Sequence, residues 1–102
     1  MPETSPESTS RPPREIIHEP RYRRDLEVLF QTVDRADEAI RALEWFIARH
    51  PEWGMSVRGL PSGEFASWVT HWRDVSLQVV YRHTDTVVYC LSARAVPSGP
   101  WT

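Results

Sequence analysis

Three strand-like segments that follow one another closely constrain the fold of this chain most strongly. Residues 65–73, 76–83 and 86–94 are rich in β-branched and aromatic side chains that alternate with polar ones. The connections at 73–75 and 83–85 are short enough to be hairpin turns. Strands joined this closely lie side by side in antiparallel order, so the sequence predicts a three-stranded meander.

An amphipathic helix is predicted over residues 34–50, ahead of the meander. Its apolar positions recur at helical spacing and share one face. They are Ala36, Ala39, Ile40, Leu43, Phe46, Ile47 and His50. Asp34 is expected to cap the helix by accepting bonds from free N–H groups, and Pro51 ends it at or before His50. A helix that buries one face against a sheet predicts an α+β fold.

Residues 23–33 allow two interpretations. Leu26, Val28 and Phe30 alternate with other residues, which favours a strand, although Leu26, Leu29 and Phe30 also fit helical spacing. With the strand interpretation, the predicted architecture is an N-terminal strand and helix packed on a three- to four-stranded antiparallel sheet.

Proline content divides the chain of 102 residues into three parts. Residues 1–20 contain five prolines among Ser, Thr and Glu, and are predicted to be a disordered tail because they hold too little apolar surface to offset the entropy of ordering. Residues 21–97 form the predicted domain, with a glycine-rich loop over 52–64. Residues 98–102 are expected to be irregular, and Trp101 has no evident role.

Composition narrows the classes of function. All twelve basic residues are Arg, the type that binds phosphate in a bidentate manner. The single cysteine, Cys90, cannot form an internal disulfide and is expected in the core. No apolar stretch or leader peptide predicts a membrane association, so a cytoplasmic location is expected. The four His and Cys90 lack ligand spacing, so neither a metal nor a cofactor is expected.

Alternation along the strands predicts which side chains lie on the two faces of the sheet. One face is apolar and aromatic and should pack on the helix; it holds Trp68, Thr70, Trp72, Leu77, Val79 and Tyr81. The opposite face holds cationic and hydrogen-bonding groups: His71, Arg73, Gln78 and Arg82. The sequence therefore predicts an open polar face that could carry a functional site.

Two short segments resemble the RelE/ParE toxin superfamily. The segment Leu77-Gln78-Val79-Val80-Tyr81 is similar to the family's middle strand, which often reads aromatic-Arg-apolar-apolar-Tyr. Pro51, Gly54, Val57 and Gly59 match the family's Pro-x-x-Gly-x-x-Val-x-Gly loop. Family members run strand, helix, helix and then a three-stranded antiparallel sheet, and the resemblance spans residues 23–96.

The resemblance implies a toxin component of a type II toxin–antitoxin system. It implies a cognate antitoxin as the partner and, for a ribonuclease member, the ribosome and its mRNA. In that role His71 and Arg73 are the catalytic candidates. The candidates for RNA binding are Arg58, Gln78, Arg82 and Arg94. One departure matters, because Gln78 is neutral where ribonuclease members carry Arg, so the catalytic set is reduced.

Two other interpretations stay open. The neutral Gln78 favours a degenerate toxin or non-catalytic module that only binds a protein partner. The cations of the open face and Arg58 in the loop are equally compatible with a small nucleic-acid-binding regulator.

Overall fold

Two α-helices cover one face of a five-stranded mixed sheet in the computed structural model, which describes residues 12–61, 63–72 and 75–97. The elements are β1 (Glu15–His18), α1 (Pro20–Thr32), α2 (Ala36–Arg49), a 3₁₀ turn (Pro51–Trp53), β2 (Met55–Ser56), β3 (Phe65–Trp72), β4 (Val75–His83) and β5 (Val87–Pro97). The strand order across the sheet is β1-β5-β4-β3-β2. The predicted α+β class is confirmed.

The predicted meander forms β3, β4 and β5, which pair in antiparallel order. One irregularity interrupts the ladder, because Val80 pairs with Ser92 whereas Tyr81 pairs with Cys90. Leu91 is therefore an extra residue in β5, and the bulge keeps Cys90 and Ala93 on the buried side of the sheet.

The face assignment made from alternation is confirmed for β4. Leu77, Val79 and Tyr81 are completely buried and join the core under the helices. Gln78 and Arg82, at the intervening positions, are partly exposed on the opposite side. We call the helix-covered side the inner face and the other side the outer face.

Helix α2 follows the sequence prediction except at its beginning and at Phe46, which was predicted on the apolar face but is 43% exposed. Ile40, Leu43 and Ile47 are buried as expected. The capping role predicted for Asp34 is wrong, because the helix begins at Ala36 and Arg35 precedes it in the left-handed region (φ 57°). Only residues 33–35 separate the two helices, and Arg35 takes a left-handed backbone conformation in this short connection. The carbonyl of Asp34 instead accepts a 3.0 Å hydrogen bond from the Trp72 indole.

The strand prediction for residues 23–33 is wrong, because this segment belongs to helix α1. Its buried residues are Tyr22, Leu26 and Leu29, which are spaced as on one face of a helix. The first of them, Tyr22, lies before residues 23–33. Pro20 occupies the first turn, where its missing N–H costs nothing. Val28, assigned to an alternating strand, is exposed.

The tail prediction is wrong for residues 15–20. Glu15–His18 forms β1, which runs parallel to β5 at the edge of the sheet. The Glu15 N–H donates to the Thr86 carbonyl at 2.9 Å and the Glu19 N–H to the Cys90 carbonyl at 3.1 Å. The sheet is therefore five-stranded and mixed rather than a three- to four-stranded antiparallel one. Residues 1–11 and 98–102, including Trp101, lie outside the described part of the chain.

Candidate functional site

The outer face of the sheet holds three of the predicted site residues close together. His71 lies on β3 opposite Ser76 of β4, and its Nδ1 is 2.8 Å from the Ser76 hydroxyl oxygen. Gln78 lies two residues further along β4, a diagonal separation of about 7–8 Å in an antiparallel pair. On the other side of Gln78, the Arg94 Nε donates to its Oε1 at 2.8 Å.

Arg82 lies at the opposite end of the outer face. It pairs with Phe65, six residues before His71, which places the two side chains about 20 Å apart along the strand. Its guanidinium carbon is 4.2 Å from the centre of the Tyr89 ring, and Nη1 is 3.7 Å from a carboxylate oxygen of Glu64. The sequence therefore assigned Arg82 to a cluster from which the structure separates it.

The last two predicted residues lie outside this arrangement. Arg58 is exposed in the turn that follows β2. The pairing of β2 with β3 ends at Ser56 and Ala66, so Arg58 lies outside the sheet. Arg73, the second catalytic candidate, lies outside the described residues. The structure thus brings together His71, Gln78 and Arg94, with Arg82 and Arg58 apart from them.

The two segments that carry the family resemblance meet in the core. The Tyr81 hydroxyl is buried and donates to the carbonyl of Pro51 at 2.5 Å. A Cβ atom on residue 54 would overlap the Tyr81 hydroxyl and crowd the backbone of Ser67, so only glycine fits there. Burial, with a smaller effect of the nearby Glu52, raises the pKa of Tyr81. The hydroxyl therefore keeps its proton and ties the 3₁₀ turn to β4.

A cleft beside this contact contains His83, which the sequence places at the end of a strand and the start of a hairpin connection. The cleft has a volume of about 150 Å³ and is lined by Pro51, Glu52, Gly54, Ser56, Gly63, Phe65, Ala66 and His83. His83 is partly buried, and its ring centre lies 5.9 Å from that of Tyr81. His83 lies two residues after Tyr81 on β4, so alternation places both side chains on the same side of the sheet. This pattern could have placed His83 on the inner side.

The electrostatics of His83 favour its neutral form. Burial has the largest effect and lowers its pKa, and the charge of Arg14 acts in the same direction. Glu52 and Glu64 oppose this change but do not reverse it. A neutral imidazole here can donate or accept a hydrogen bond to a group in the cleft.

A second polar cluster fixes the N-terminal segment to the helices. Glu44 Oε2 of α2 accepts a 2.6 Å bond from the Tyr22 hydroxyl and lies 2.8 Å from His18 Nε2. Burial, together with the charge of Glu44, raises the pKa of Cys90 from its usual value of 9.0 to about 12, so this thiol stays protonated. The prediction of Cys90 as a core residue is confirmed, and the cluster holds β1, α1, α2 and β5 together.

Comparison of the chain with protein-family models, with curated proteins and with solved structures finds no significant match. Within the described ranges, no group of three or more His, Cys, Asp or Glu side chains is arranged to hold a metal ion. None of the helices seen there is long and apolar enough to cross a membrane.

Proposed function

We propose that this chain is the toxin-like component of a type II toxin–antitoxin system, of the RelE/ParE kind, and that it acts in the cytoplasm through the outer face of its sheet. The observation that carries the proposal is the order of its elements. A short strand and two helices are followed, after a 3₁₀ turn and the two-residue strand β2, by a three-stranded antiparallel meander. A strand, two helices and such a meander in this order are typical of that family.

The contact between the two resembling segments supports the same proposal. Pro51 and Gly54 come from the loop pattern, and Tyr81 comes from the middle-strand pattern. The two short sequence patterns therefore meet in one buried contact. If each pattern matched the family only by chance, there would be no reason for them to lie in contact.

The chemistry proposed for the outer face is cleavage of RNA at the ribosome. Attack of a 2′-hydroxyl on the adjacent phosphate needs a group that moves a proton and cations that stabilise the developing charge. His71 would move the proton, and Arg94 would face the phosphate beside it. Arg73, by its place in the sequence, would supply a further cation. Arg82 and Arg58 would contact the RNA backbone away from the reacting phosphate.

A specific observation favours a second candidate, a module of the same fold that binds a protein and cleaves nothing. The middle-strand position carries Gln78, whose Oε1 accepts a hydrogen bond from Arg94. This contact engages the Arg94 guanidinium with a neutral amide and leaves the centre of the face with less positive charge than an Arg at position 78 would give.

Mapping of RNA 5′ ends on translating ribosomes separates these candidates. Purified wild-type protein should produce discrete cuts in ribosome-bound mRNA. His71→Ala should lower the rate by about 10²–10⁴-fold, the usual effect of losing an acid–base group. His50→Ala is the matched control, because His50 stacks on Trp53 at the end of α2 and is not on the outer face.

Each result decides between the candidates. Equal rates for wild type and His71→Ala would refute the assignment of His71. No cleavage by wild type, together with cleavage by Gln78→Arg, would show that the fold lacks one cation and now acts by binding. No cleavage by either protein would refute the ribonuclease function.

A further inference from the structure

Exposed aromatic side chains gather on one side of α2 and on the 3₁₀ turn that follows it. Trp45, Phe46 and Trp53 are 51%, 43% and 62% exposed. Trp45 packs edge-to-face on Phe46 with ring centres 5.1 Å apart, and Phe46 stacks on Trp68 of β3 at 6.1 Å. We call these four residues the aromatic surface. Contiguous exposed apolar side chains of this kind mark interaction surfaces.

A cleft of about 260 Å³ forms part of the aromatic surface and is lined by both Trp53 and Trp68. The other lining residues carry no charge; they are Gly54, Met55, Ser67 and Val69. Ser67 adds a hydroxyl group to the otherwise apolar and aromatic walls. The cleft has the volume of about nine water molecules at roughly 30 Å³ each, which is enough for one flat heteroaromatic ring.

Two arginines flank Trp45 along α2. Arg41 and Arg49 lie four residues before and after it, so the three side chains share one side of the helix. The Arg49 guanidinium carbon is 4.0 Å from the centre of the Trp45 ring, and Nη1 donates to the Trp45 carbonyl at 3.1 Å. A guanidinium carries several N–H donors, so this bond leaves Arg49 able to donate to another acceptor.

Carboxylates of the same region do not neutralise these arginines. Glu38 and Glu44 of α2 accept hydrogen bonds from other side chains, at 2.7 Å and 2.6 Å. Glu52 lines the separate cleft of about 150 Å³ described above. Among the described residues, neither Arg41 nor Arg49 forms an ion pair with a carboxylate. The positive charge beside the aromatic surface is therefore available to an anion.

We propose that the aromatic surface binds single-stranded nucleic acid. An unpaired base enters the cleft against Trp53, where the Ser67 hydroxyl meets its edge, and the phosphates of the neighbouring nucleotides face Arg49 and Arg41. Aromatic rings that stack on bases, together with cations along the backbone, are the means by which proteins bind unpaired strands. The surface lies beside α2, which covers the inner face, so the inference does not rest on the cleavage proposed for the outer face.

The two arginines favour a nucleic acid over an apolar protein segment. A segment that covered the aromatic surface would also remove water from Arg41 and Arg49, which is unfavourable unless each gains an anionic partner. Bases and phosphates alternate along every nucleic-acid strand, so one ligand supplies both the flat rings and the anions.

Fluorescence anisotropy of a labelled, mixed-sequence single-stranded DNA tests the proposal. The full chain should bind this strand, and should bind the corresponding duplex more weakly because paired bases are not free to stack on the protein. Trp53→Ala should weaken binding by about 5–150-fold, the effect of losing one base–aromatic stack. Trp53→Phe keeps a ring and should lose less. Phe30→Ala is the matched control, since Phe30 is an exposed aromatic residue of α1, and should bind as wild type does.

The dependence on salt tests the role of the arginines. Arg49→Gln should weaken binding and reduce the slope of log affinity against log salt concentration by about 0.7, the value for one phosphate contact on a single strand. DNA has no 2′-hydroxyl, so the proposed cleavage cannot take place on this probe and the two functions fail separately. A folded wild-type protein that binds no single strand, as expected of a surface for an apolar protein segment, would overturn the proposal. Unchanged binding by Trp53→Ala would also overturn it.

Photochemical cross-linking locates the bound strand. Cleavage by trypsin after arginine places Trp45 and Trp53 in separate peptides, residues 42–49 and 50–58. A single strand that carries 5-iododeoxyuridine should cross-link to these two peptides on the wild-type chain. Cross-links confined to residues 74–94, which include most of β4 and β5, would place the strand on the outer face and overturn the assignment to the aromatic surface.

Discussion

The two faces of strand β4 differ although their residues alternate along one stretch of nine residues. On the inner face, Leu77, Val79 and Tyr81 are completely buried. They belong to one hydrophobic core together with residues of both helices. Gln78 and Arg82 on the outer face are partly exposed and contact other polar or aromatic side chains of the same face. The stability of the fold therefore depends on the inner face, whereas the outer face can change its chemistry with little effect on the fold.

The largest expected effect comes from the inner side. Leu43→Ala should lower the free energy of unfolding by about 2–5 kcal/mol, since the side chain is 2% exposed and its removal leaves a cavity against the sheet. Urea unfolding measures this change. Val28→Ala is the control and should stay within about 0.5 kcal/mol. A loss below that value for Leu43→Ala would mean that α2 does not pack on the inner face.

The next effect concerns the contact that ties the loop to the inner face. Gly54→Ala should cost about 1–3 kcal/mol, because the new methyl group overlaps the Tyr81 hydroxyl. Tyr81→Phe removes that hydroxyl and leaves the Pro51 carbonyl without its donor, at a cost of about 1–3 kcal/mol. Because Phe removes the overlap, the double variant should lose less than the two single variants together. Strict additivity would contradict the contact.

High pH should weaken the inner side selectively. The pKa of Cys90 is raised to about 12 in the folded chain, and that of Tyr22 is also raised, mainly by burial. Both groups keep their protons when folded and lose them more readily when unfolded. The contribution of Cys90 is therefore complete below about pH 9 and that of Tyr22 below about pH 10, and above that pH each declines by up to about 1.4 kcal/mol per pH unit. Cys90→Ala should flatten the decline between pH 9 and 10, and an unchanged slope would contradict the burial of the thiol.

The smallest expected effect is on the outer face. Gln78→Ala and Arg94→Ala should each change the free energy of unfolding by about 0.5 kcal/mol or less, because the hydrogen bond between them is exposed. Chemical denaturation of both variants beside wild type measures this. A cost above 2 kcal/mol would show that the outer face also holds the fold together and would remove the contrast between the two faces.

The parts of the fold that were predictable share a simple property. In the meander and in α2 the pattern of apolar residues extends over many positions and fits one period, so burial of one face follows directly. Helix α1 was missed because its pattern begins at Tyr22 and because Leu26, Val28 and Phe30 also fit a period of two. Strand β1 was missed because its four residues lie among prolines and its pairing with β5 joins residues more than seventy positions apart.

The candidate site was predictable only in part for a related reason. Alternation places His71, Gln78 and Arg82 on one face, but it says nothing of how far apart they lie along the strands. The distance depends on the register, which places Arg82 of β4 beside Phe65 at one end of β3, whereas His71 lies near the other end. The proximity of Arg94 to Gln78 depends in turn on the bulge at Leu91, which sequence patterns do not locate.

Growth of a bacterial host after induced expression tests whether this chain acts as a toxin. We expect growth arrest on induction of the wild-type chain. We also expect that an adjacent reading frame encodes a small antitoxin-like protein whose co-expression relieves the arrest, and that a folded variant with His71→Ala and Arg94→Ala causes a weaker arrest. Undiminished growth in cells that accumulate folded wild-type protein would refute the proposed toxin function.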